Sequence, residues 1–345
     1  MTITSGLINH QIRLAARPVG LPKDSDWSHT EEAVSAPSSG GFLIKTFLLS
    51  LDPAMRGWMN EGKSYIAPVG LGEVMRAGGV GKVIASEDPR FPVGCFVNAA
   101  LGVQEYCRVD PENLRQLAPH IVDLGLAPAE KWLNPLGMPG MTAYFGLLDV
   151  GQPKPGETVV VSGAAGAVGQ TVGQIAKIKG ARAVGIAGGK AKCEFVVNEL
   201  GFDACIDYKQ QPLKEGLKEH CPKGVDVYFD NVGGDTLDAV LARLTRGARV
   251  VICGAISQYN NTTPIKGPAN YLSLLVNRAR MEGIVVFDYA ARFPQAVGEI
   301  GHWMKEGKLR SREDIVDGLG SFPQTLLKLF NGENFGKLVL RVAAS

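Results

Sequence analysis

The sequence predicts an α/β chain in which a parallel, doubly wound sheet interrupts an all-β domain. Three observations carry this expectation. Residues 1 to about 137 are rich in Gly and Pro, with short apolar runs between turns. From about 138 the texture changes to β-branched apolar runs that alternate with helical stretches. After about 310 it turns mixed again and ends in FGKLVLRVAAS, a plausible strand with no room for a third domain. The expected organisation is therefore one domain from 1–137 and 311–345, and a second from 138–310.

The elements follow in order. GGFLIKTFLLSL, GGVGKVIAS, VGCFVNAAL and VQEYCRVD read as short strands of a barrel or sandwich. TVVVSG, ARAVGIAG, ACIDY, VDVYFDNVGG, ARVVICGAIS and EGIVVFDY read as six strands with helices between them. Their near-continuous hydrophobicity fits strands covered on both faces. KLVLRV is expected to return to the first domain and complete it.

Bulk composition narrows the function classes. The chain has 345 residues, 45% hydrophobic and 20% charged, as in an ordinary soluble protein. A formal charge of +2 gives no footprint for nucleic acid or an anionic membrane. GFLIKTFLLSLDP is the longest apolar run, and Lys45 and Asp52 interrupt it well short of the ~20 residues of a membrane helix. The opening MTITSGLINHQIRLAARP has no apolar signal-peptide core; its arginines are a weak hint of a transit peptide. The six cysteines form no C-x-x-C pair and no zinc-ligand spacing with histidine, so they read as scattered, mostly buried thiols of a reducing compartment, here the cytoplasm.

The chemistry begins at VVVSGAAGAVGQTVGQIAK. Val159–Val161 should be the first strand of the second domain and Ser162 to Gly169 the turn after it. The usual fingerprint is G-x-G-x-x-G, and here Ala164 holds the first glycine position, followed by Gly166 and Gly169. Gly166 would let the backbone approach a pyrophosphate, and Gly169 would let the helix pack on the strand. The helix from Val168 onward would aim its first amides at that phosphate. Gly166, Ala167, Val168 and Gly169 are thus candidate cofactor contacts. A plain glycine turn is the competing reading, but the strand before, the helix after and four further strands argue for a dinucleotide.

The second strand normally ends in an acid that binds the adenosine ribose and repels a 2′-phosphate. Ala187, Gly188 and Gly189 stand there instead, followed by Lys190 and Lys192. The two glycines would leave space for a phosphate and the lysines would supply charge, so NADPH is expected over NADH. Ligands of such sheets lie beyond the carboxyl ends of the strands. That adds Tyr208 and Lys209 after the third strand, and Asn231, Val232, Gly233 and Gly234 after the fourth. It also adds Cys253, Gly254, Ala255, Ile256, Ser257 and Tyr259 after the fifth, and Val286 within the sixth. For each, an ordinary turn residue is the competing reading.

Several blocks in fixed order resemble a known family: LSLDPAMRG, GGVGKVIAS, LGMPGMTAYFGL, GAAGAVGQTVGQIAK, YFDNVGG, CGAISQYN, RARMEG and ENFGKLV. The chain resembles the zinc-independent medium-chain dehydrogenase/reductases of the prostaglandin reductase, curcumin reductase and alkenal double-bond reductase type, from about Phe42 to Val342. The resemblance implies a GroES-like β-barrel catalytic domain with a Rossmann NADP-binding domain inserted in it. It implies NADPH/NADP+, a homodimer, and reduction of a carbon–carbon double bond conjugated to a carbonyl. Lys192, Tyr208, Asn231 and Asn334 match positions that contact the cofactor. Lys192 would meet the 2′-phosphate, Tyr208 the adenosine side and Asn334 the nicotinamide half. Tyr259 matches the tyrosine that approaches the substrate carbonyl, and Thr142 lies in a block facing the nicotinamide. One departure concerns the substrate pocket: family members often read DPYMRG, and Ala54 replaces that tyrosine here. Metal-ligand cysteines and a His-Glu pair are missing, and the five histidines His10, His29, His120, His220 and His302 read as structural or solvated.

Without a metal, hydride would go to the β-carbon of an enone while Tyr259 donates a hydrogen bond to the carbonyl oxygen. Tyr65 is a second candidate, more a pocket wall than a catalyst. A zinc-independent quinone reductase of related fold and a non-catalytic NADPH-binding regulator are the competing readings. No nucleic-acid or membrane partner is expected.

Overall fold

In the computed structural model, residues 6–343 are described. The ends of the expected first domain, 1–5 and 344–345, lie outside the described residues. The chain forms two compact units, Met1–Leu133 with Glu313–Ser345, and Asn134–Arg312.

The first unit opens with β1 (Ile8–Leu14) and β2 (Trp27–Ala33), an antiparallel ribbon. β3 (Phe42–Ser50), α1 (Ala54–Trp58), β4 (Gly79–Ser86), β5 (Phe96–Ala99), β6 (Tyr106–Val109), α2 (Leu114–Leu117) and β7 (His120–Ile121) follow. β3 is the centre of the larger sheet. It pairs antiparallel with β4 and β6, and Phe42, Leu43, Ile44 and Leu49 are buried along it.

The second unit begins with α3 (Met138–Phe145) and then alternates strand and helix. β8 (Thr158–Ser162), α4 (Ala167–Ile178), β9 (Arg182–Ala187), α5 (Lys190–Asn198), β10 (Ala204–Asp207), α6 (Leu213–His220), β11 (Val225–Asp230), α7 (Gly234–Leu241) and β12 (Leu244–Ile252) come in that order. α8 (Leu272–Asn277), β13 (Arg280–Gly283) and α9 (Phe293–Lys305) complete it. The sheet order is β10-β9-β8-β11-β12-β13, and its pairs are parallel. Order reverses between β8 and β11, so the carboxyl ends of those two strands flank the crevice where such sheets bind ligands. Val159, Val160 and Val161 are fully buried, as expected for a strand covered on both faces.

The chain then returns to the first unit as β14 (Glu313–Asp317), α10 (Phe322–Asn331) and β15 (Lys337–Arg341). β15 pairs antiparallel with β3, so the tail joins the first sheet as expected. Phe322, Leu326, Leu338 and Leu340 enter the same core as Phe42, Ile44 and Met55.

The crossings fall a few residues from 137/138 and 310/311, and local hydrogen bonds give the reason. The Asn134 carbonyl accepts from the Gly140 amide at 2.9 Å, so the turn before α3 travels with that helix. Gln174 and Gln170 of α4 accept the Arg310 and Arg312 amides at 2.8 and 3.0 Å, holding 310–312 to the second unit.

One strand differs from expectation. EGIVVFDY is not the sixth strand: β13 ends at Gly283, and Val286 opens a 3-10 turn over Val286–Arg292. Its neighbour sets the limit. β12 ends at Ile252, whose carbonyl takes the Ile284 amide at 3.1 Å, and the Gly254 amide, the next that would face β13, turns back to the Asp230 carbonyl. Past that point the Ile-Val-Val run has no strand to pair with.

Candidate functional site

The glycine turn sits at the carboxyl end of β8. Gly163 takes φ +62°, a left-handed conformation that favours glycine, and its carbonyl accepts the Gly166 amide at 2.9 Å. The sequence reading missed this residue by counting the fingerprint from Ala164, which is buried and packs inward instead. A Cβ on Gly166 would meet only the Gly163 carbonyl oxygen, at 3.2 Å, so this glycine keeps one flank open. A Cβ on Gly169 would lie 2.3 Å from the same oxygen and 2.9 Å from the Ala164 Cα, so this glycine serves helix–strand packing. α4 starts at Ala167, with Gly166 as N-cap. The leading amides, Ala167 and Val168 among them, therefore face out of the helix end, where the backbone dipole favours an anion.

Opposite the turn, β11 ends in Asp230, whose carboxylate is buried. Its Oδ1 accepts from the Tyr228 hydroxyl at 2.7 Å, the Ser162 hydroxyl at 3.1 Å, and the Val232 and Gly233 amides at 3.0 and 2.9 Å. Burial raises its pKa, and these donors oppose the rise. Asn231 donates its side-chain amide to the Ser162 carbonyl at 2.7 Å, tying the ends of β8 and β11 together.

The loop after β12 is stitched to the same corner. The Cys253 and Gly254 amides donate to the Asp230 carbonyl at 2.9 and 3.1 Å, and the Ile256 and Ser257 amides to Asn231 and Val232. Burial pushes the Cys253 thiol up to about 12, so it is a neutral packing group. The Tyr259 hydroxyl accepts the Ala255 amide at 3.1 Å, and a Cβ on Gly254 would strike that hydroxyl at 2.7 Å. The tyrosine is thus folded against its own loop. Thr142, on α3, donates its hydroxyl to the Met138 carbonyl at 2.8 Å within the helix.

At the end of β9 the two lysines separate in character. Lys190 opens α5, is 86% exposed in its side chain and lies 3.7 Å from Glu194, an ordinary surface pair. Lys192 is half-buried. The space beside Gly188 is already filled, which corrects the expectation that both glycines clear room for a phosphate: a Cβ on Gly188 would meet the Tyr208 hydroxyl at 2.7 Å. Gly188 seats the Tyr208 ring against the strand end, while Gly189, at φ +102°, has open space around it.

An acid does lie here, from a strand away. Asp207 pairs in register with Ala187, and its Oδ1 accepts the Gly189 and Lys209 amides at 2.8 and 3.0 Å. Its Oδ2 is buried without a hydrogen-bond partner. Both oxygens are turned to the backbone and interior, so Asp207 shapes the turn and does not replace the missing ribose-binding acid.

Asn334, Ala54 and Tyr65 belong to the first unit. Asn334 donates its amide to the Gly336 carbonyl at 2.9 Å and so closes its own turn. Ala54 begins α1, just after Asp52, which the buried Lys337 holds at 2.6 Å. Tyr65 is exposed in the loop after α1. Among the described residues no three His, Cys, Asp or Glu side chains gather as a metal site. Three of the five histidines have acidic neighbours: His10 meets Glu105 at 2.6 Å, and His220 and His302 meet Glu219 and Glu306.

Comparisons with known proteins match the chain over nearly its whole length. Residues 10–117 match the N-terminal domain of oxidoreductase, and residues 167–301 match a zinc-binding dehydrogenase domain. The chain is 44% identical to the NADPH-dependent curcumin reductase of Escherichia coli, over 97% of each chain. It is 41% identical to the NADP+-dependent 2-alkenal reductase of Nicotiana tabacum, over 97% of this chain and 98% of that one. The crystal structure of CurA from Vibrio vulnificus in complex with NADPH superposes with a TM-score of 0.91 at 44% identity, covering 97% of this chain and all of that one. The chain belongs to the zinc-independent medium-chain dehydrogenase/reductases of the prostaglandin, curcumin and alkenal reductase type, with a Rossmann domain inserted in a GroES-like one.

Proposed function

We propose that this chain is an NADPH-dependent reductase of the carbon–carbon double bond of α,β-unsaturated aldehydes and ketones. One observation carries the reading: near-full-length identity above 40% to reductases named for NADPH or NADP+ and for curcumin or 2-alkenals. The fit of a dinucleotide to these residues rests on the cradle at β8, where Gly166 keeps its open flank and the first amides of α4 face outward. When bound, NADPH supplies the hydride that reaches the β-carbon of the substrate.

The chain's own residues bind and orient. Gly163 to Gly169 and Asn231 hold the dinucleotide at the strand ends, with Cys253 to Ser257 as the adjoining wall. Lys192 supplies charge for the 2′-phosphate and Tyr208 lies along the adenosine. Thr142, Val286 and Asn334 belong to the nicotinamide side. Tyr259 donates its O–H to the substrate oxygen as negative charge builds there, and the Ala255 amide fixes where that oxygen stands. Ala54 leaves the substrate side wider than a tyrosine would. The domain roles follow: the first unit is the catalytic domain and the second binds NADP.

The assembly we propose is a homodimer that pairs β13 with its copy. This edge strand is exposed along its length, and Leu272, Leu275, Val276 and Met281 form an exposed apolar flank to it. Six cysteines without a disulfide suit the cytoplasm. Deuteride from labelled NADPH tests the reaction: label on the β-carbon with the carbonyl intact is expected, and label on the carbonyl carbon would refute the class. Light scattering on the Leu275→Glu variant tests the dimer, with a monomer expected; an unchanged dimer would place the interface elsewhere.

A further inference from the structure

The sequence left the cysteines scattered, but folding brings two of them together. Cys205 lies on β10 and Cys193 on α5, with their sulfurs 3.1 Å apart and the Cys205 thiol donating to the Cys193 sulfur. Cys205 rests beside Gly185, where a Cβ would approach its sulfur to 3.2 Å. Neither is disulfide-bonded, and both are half-buried. Burial raises the pKa of the other four cysteines, Cys95, Cys107, Cys221 and Cys253, and keeps them neutral.

We propose that Cys193 and Cys205 are a hydroperoxide-sensitive dithiol whose closure to a disulfide weakens NADPH binding at the adjoining turn. Three features support it. Cys193 sits in the first turns of α5, where the helix dipole favours a thiolate, against burial and the nearby Asp207 charge. The hydrogen bond from Cys205 is the first cause that lowers the Cys193 pKa, and the same bond, with burial, raises that of Cys205. The pair therefore divides into a nucleophile and a resolving thiol. Finally, Cys193 follows Lys192, its amide donates to the Gly189 carbonyl at 3.2 Å, and Cys205 lies two residues before Asp207, which holds the Gly189 amide.

The chemistry balances with one hydroperoxide. The Cys193 thiolate attacks the peroxide oxygen, the O–O bond breaks, and the alkoxide that leaves takes a proton to become an alcohol. The Cys205 sulfur then attacks the sulfenic acid, an S–S bond forms and water departs. Two thiols are oxidised and one peroxide is reduced. The sulfurs must close by about 1 Å to reach a disulfide at ~2.05 Å. That movement pulls on the Gly189–Lys192 turn from both sides. The consequence for the cofactor rests on the reading of Lys192 and Tyr208 as adenosine-side contacts.

The test uses the reduced full-length protein and hydrogen peroxide. Expected results are the loss of two thiols of the six, a mass about 2 Da lower, and a cross-linked peptide pair holding Cys193 and Cys205. NADPH affinity should fall about tenfold, as for the loss of one hydrogen bond to a charged group, and dithiothreitol should restore it. Cys193→Ser and Cys205→Ser should each bind NADPH normally and resist the effect. Absence of the cross-link overturns the proposal, and so does a cross-link that leaves NADPH affinity unchanged. Lys192→Ala, compared with NADPH and NADH in the reduced protein, judges the cofactor reading separately. The thiol count and peptide map do not depend on it.

Discussion

The glycines of the strand-end turn do different work, and a pair of alanine substitutions separates them. Gly169→Ala places a methyl 2.3 Å from the Gly163 carbonyl oxygen, 2.8 Å from its carbon and 2.9 Å from the Ala164 Cα. The closest approach is more than about 1 Å short of ordinary van der Waals separation. All three neighbours are backbone atoms, so no side chain can rotate away, and α4 must lift from β8. Overpacking costs about 1–3 kcal/mol, and here the upper end applies. Alanine returns about 1 kcal/mol through helix propensity. The net loss is ~2 kcal/mol, or roughly 4–8 °C in Tm for a unit of this size.

Gly166→Ala should behave in the opposite way. Its φ of −85° suits any residue, and its new methyl meets one atom at 3.2 Å. The weaker N-cap, about 1 kcal/mol, is offset by a similar gain from a less flexible unfolded chain. Stability should stay near wild type. The methyl now stands in the open flank, so one or two hydrogen bonds to the pyrophosphate are lost and NADPH affinity falls about 10–100-fold. Thermal unfolding without cofactor and NADPH titration by fluorescence read the two effects. A Gly169→Ala protein as stable as wild type refutes the packing argument. A Gly166→Ala protein that binds NADPH normally refutes the cradle.

Three further outcomes are expected. Lys192→Ala should weaken NADPH more than NADH by about 1.5–3 kcal/mol, and equal weakening would show that Lys192 does not read the 2′-phosphate. Tyr259→Phe keeps the ring and loses the hydroxyl; turnover should fall by up to ~10²–10³ with little change in NADPH affinity, and unchanged turnover would move attention to Tyr65. Glu157 carries the pH dependence. Burial works to raise its pKa, but hydrogen bonds from Arg249 and the Lys154 amide, with the Arg249 charge, hold it below the ordinary carboxylate value. A lowered folded-state pKa means stability that is complete above about pH 5 and lost as acid carries the solution down through that lowered value. Glu157→Gln should cost about 1–3 kcal/mol at pH 7 by urea unfolding, and the gap should narrow below about pH 4; a gap constant with pH would refute the pairing.

The architecture was legible because its cause is local. A strand covered on both faces must be apolar throughout, so β8, β9, β11 and β12 stand out as Val- and Ile-rich runs bounded by turns. β13 exposes the limit of that signal. Hydropathy registers burial, whereas a strand needs a hydrogen-bonding neighbour, and Val285 and Val286 are apolar without one because β12 has already ended. The return of KLVLRV to β3 was legible by a different route, since a lone strand at the end of a chain must find an existing sheet.

The site was legible only where one segment supplies both partners. Gly166 and Gly169 act within a single turn, and their spacing announces them. Asn231 was a candidate because it ends a strand, but its bond to the Ser162 carbonyl depends on β8 and β11 lying side by side. Asp207 and Cys205 were invisible for the same reason in stronger form. Nothing within ACIDY indicates that its acid will hold the Gly189 amide or that its sulfur will meet Cys193. Both contacts follow from one fact of register, the pairing of Cys205 with Gly185 and of Asp207 with Ala187. A slip of one residue would turn both side chains to the opposite face of the sheet. The same register that seats Tyr208 against Gly188 also sets the thiol pair beside Lys192. On the proposed readings of Lys192 and of the thiol pair, cofactor choice and thiol chemistry at this corner both depend on a single strand pairing, and a substitution that shifts β10 should disturb both together.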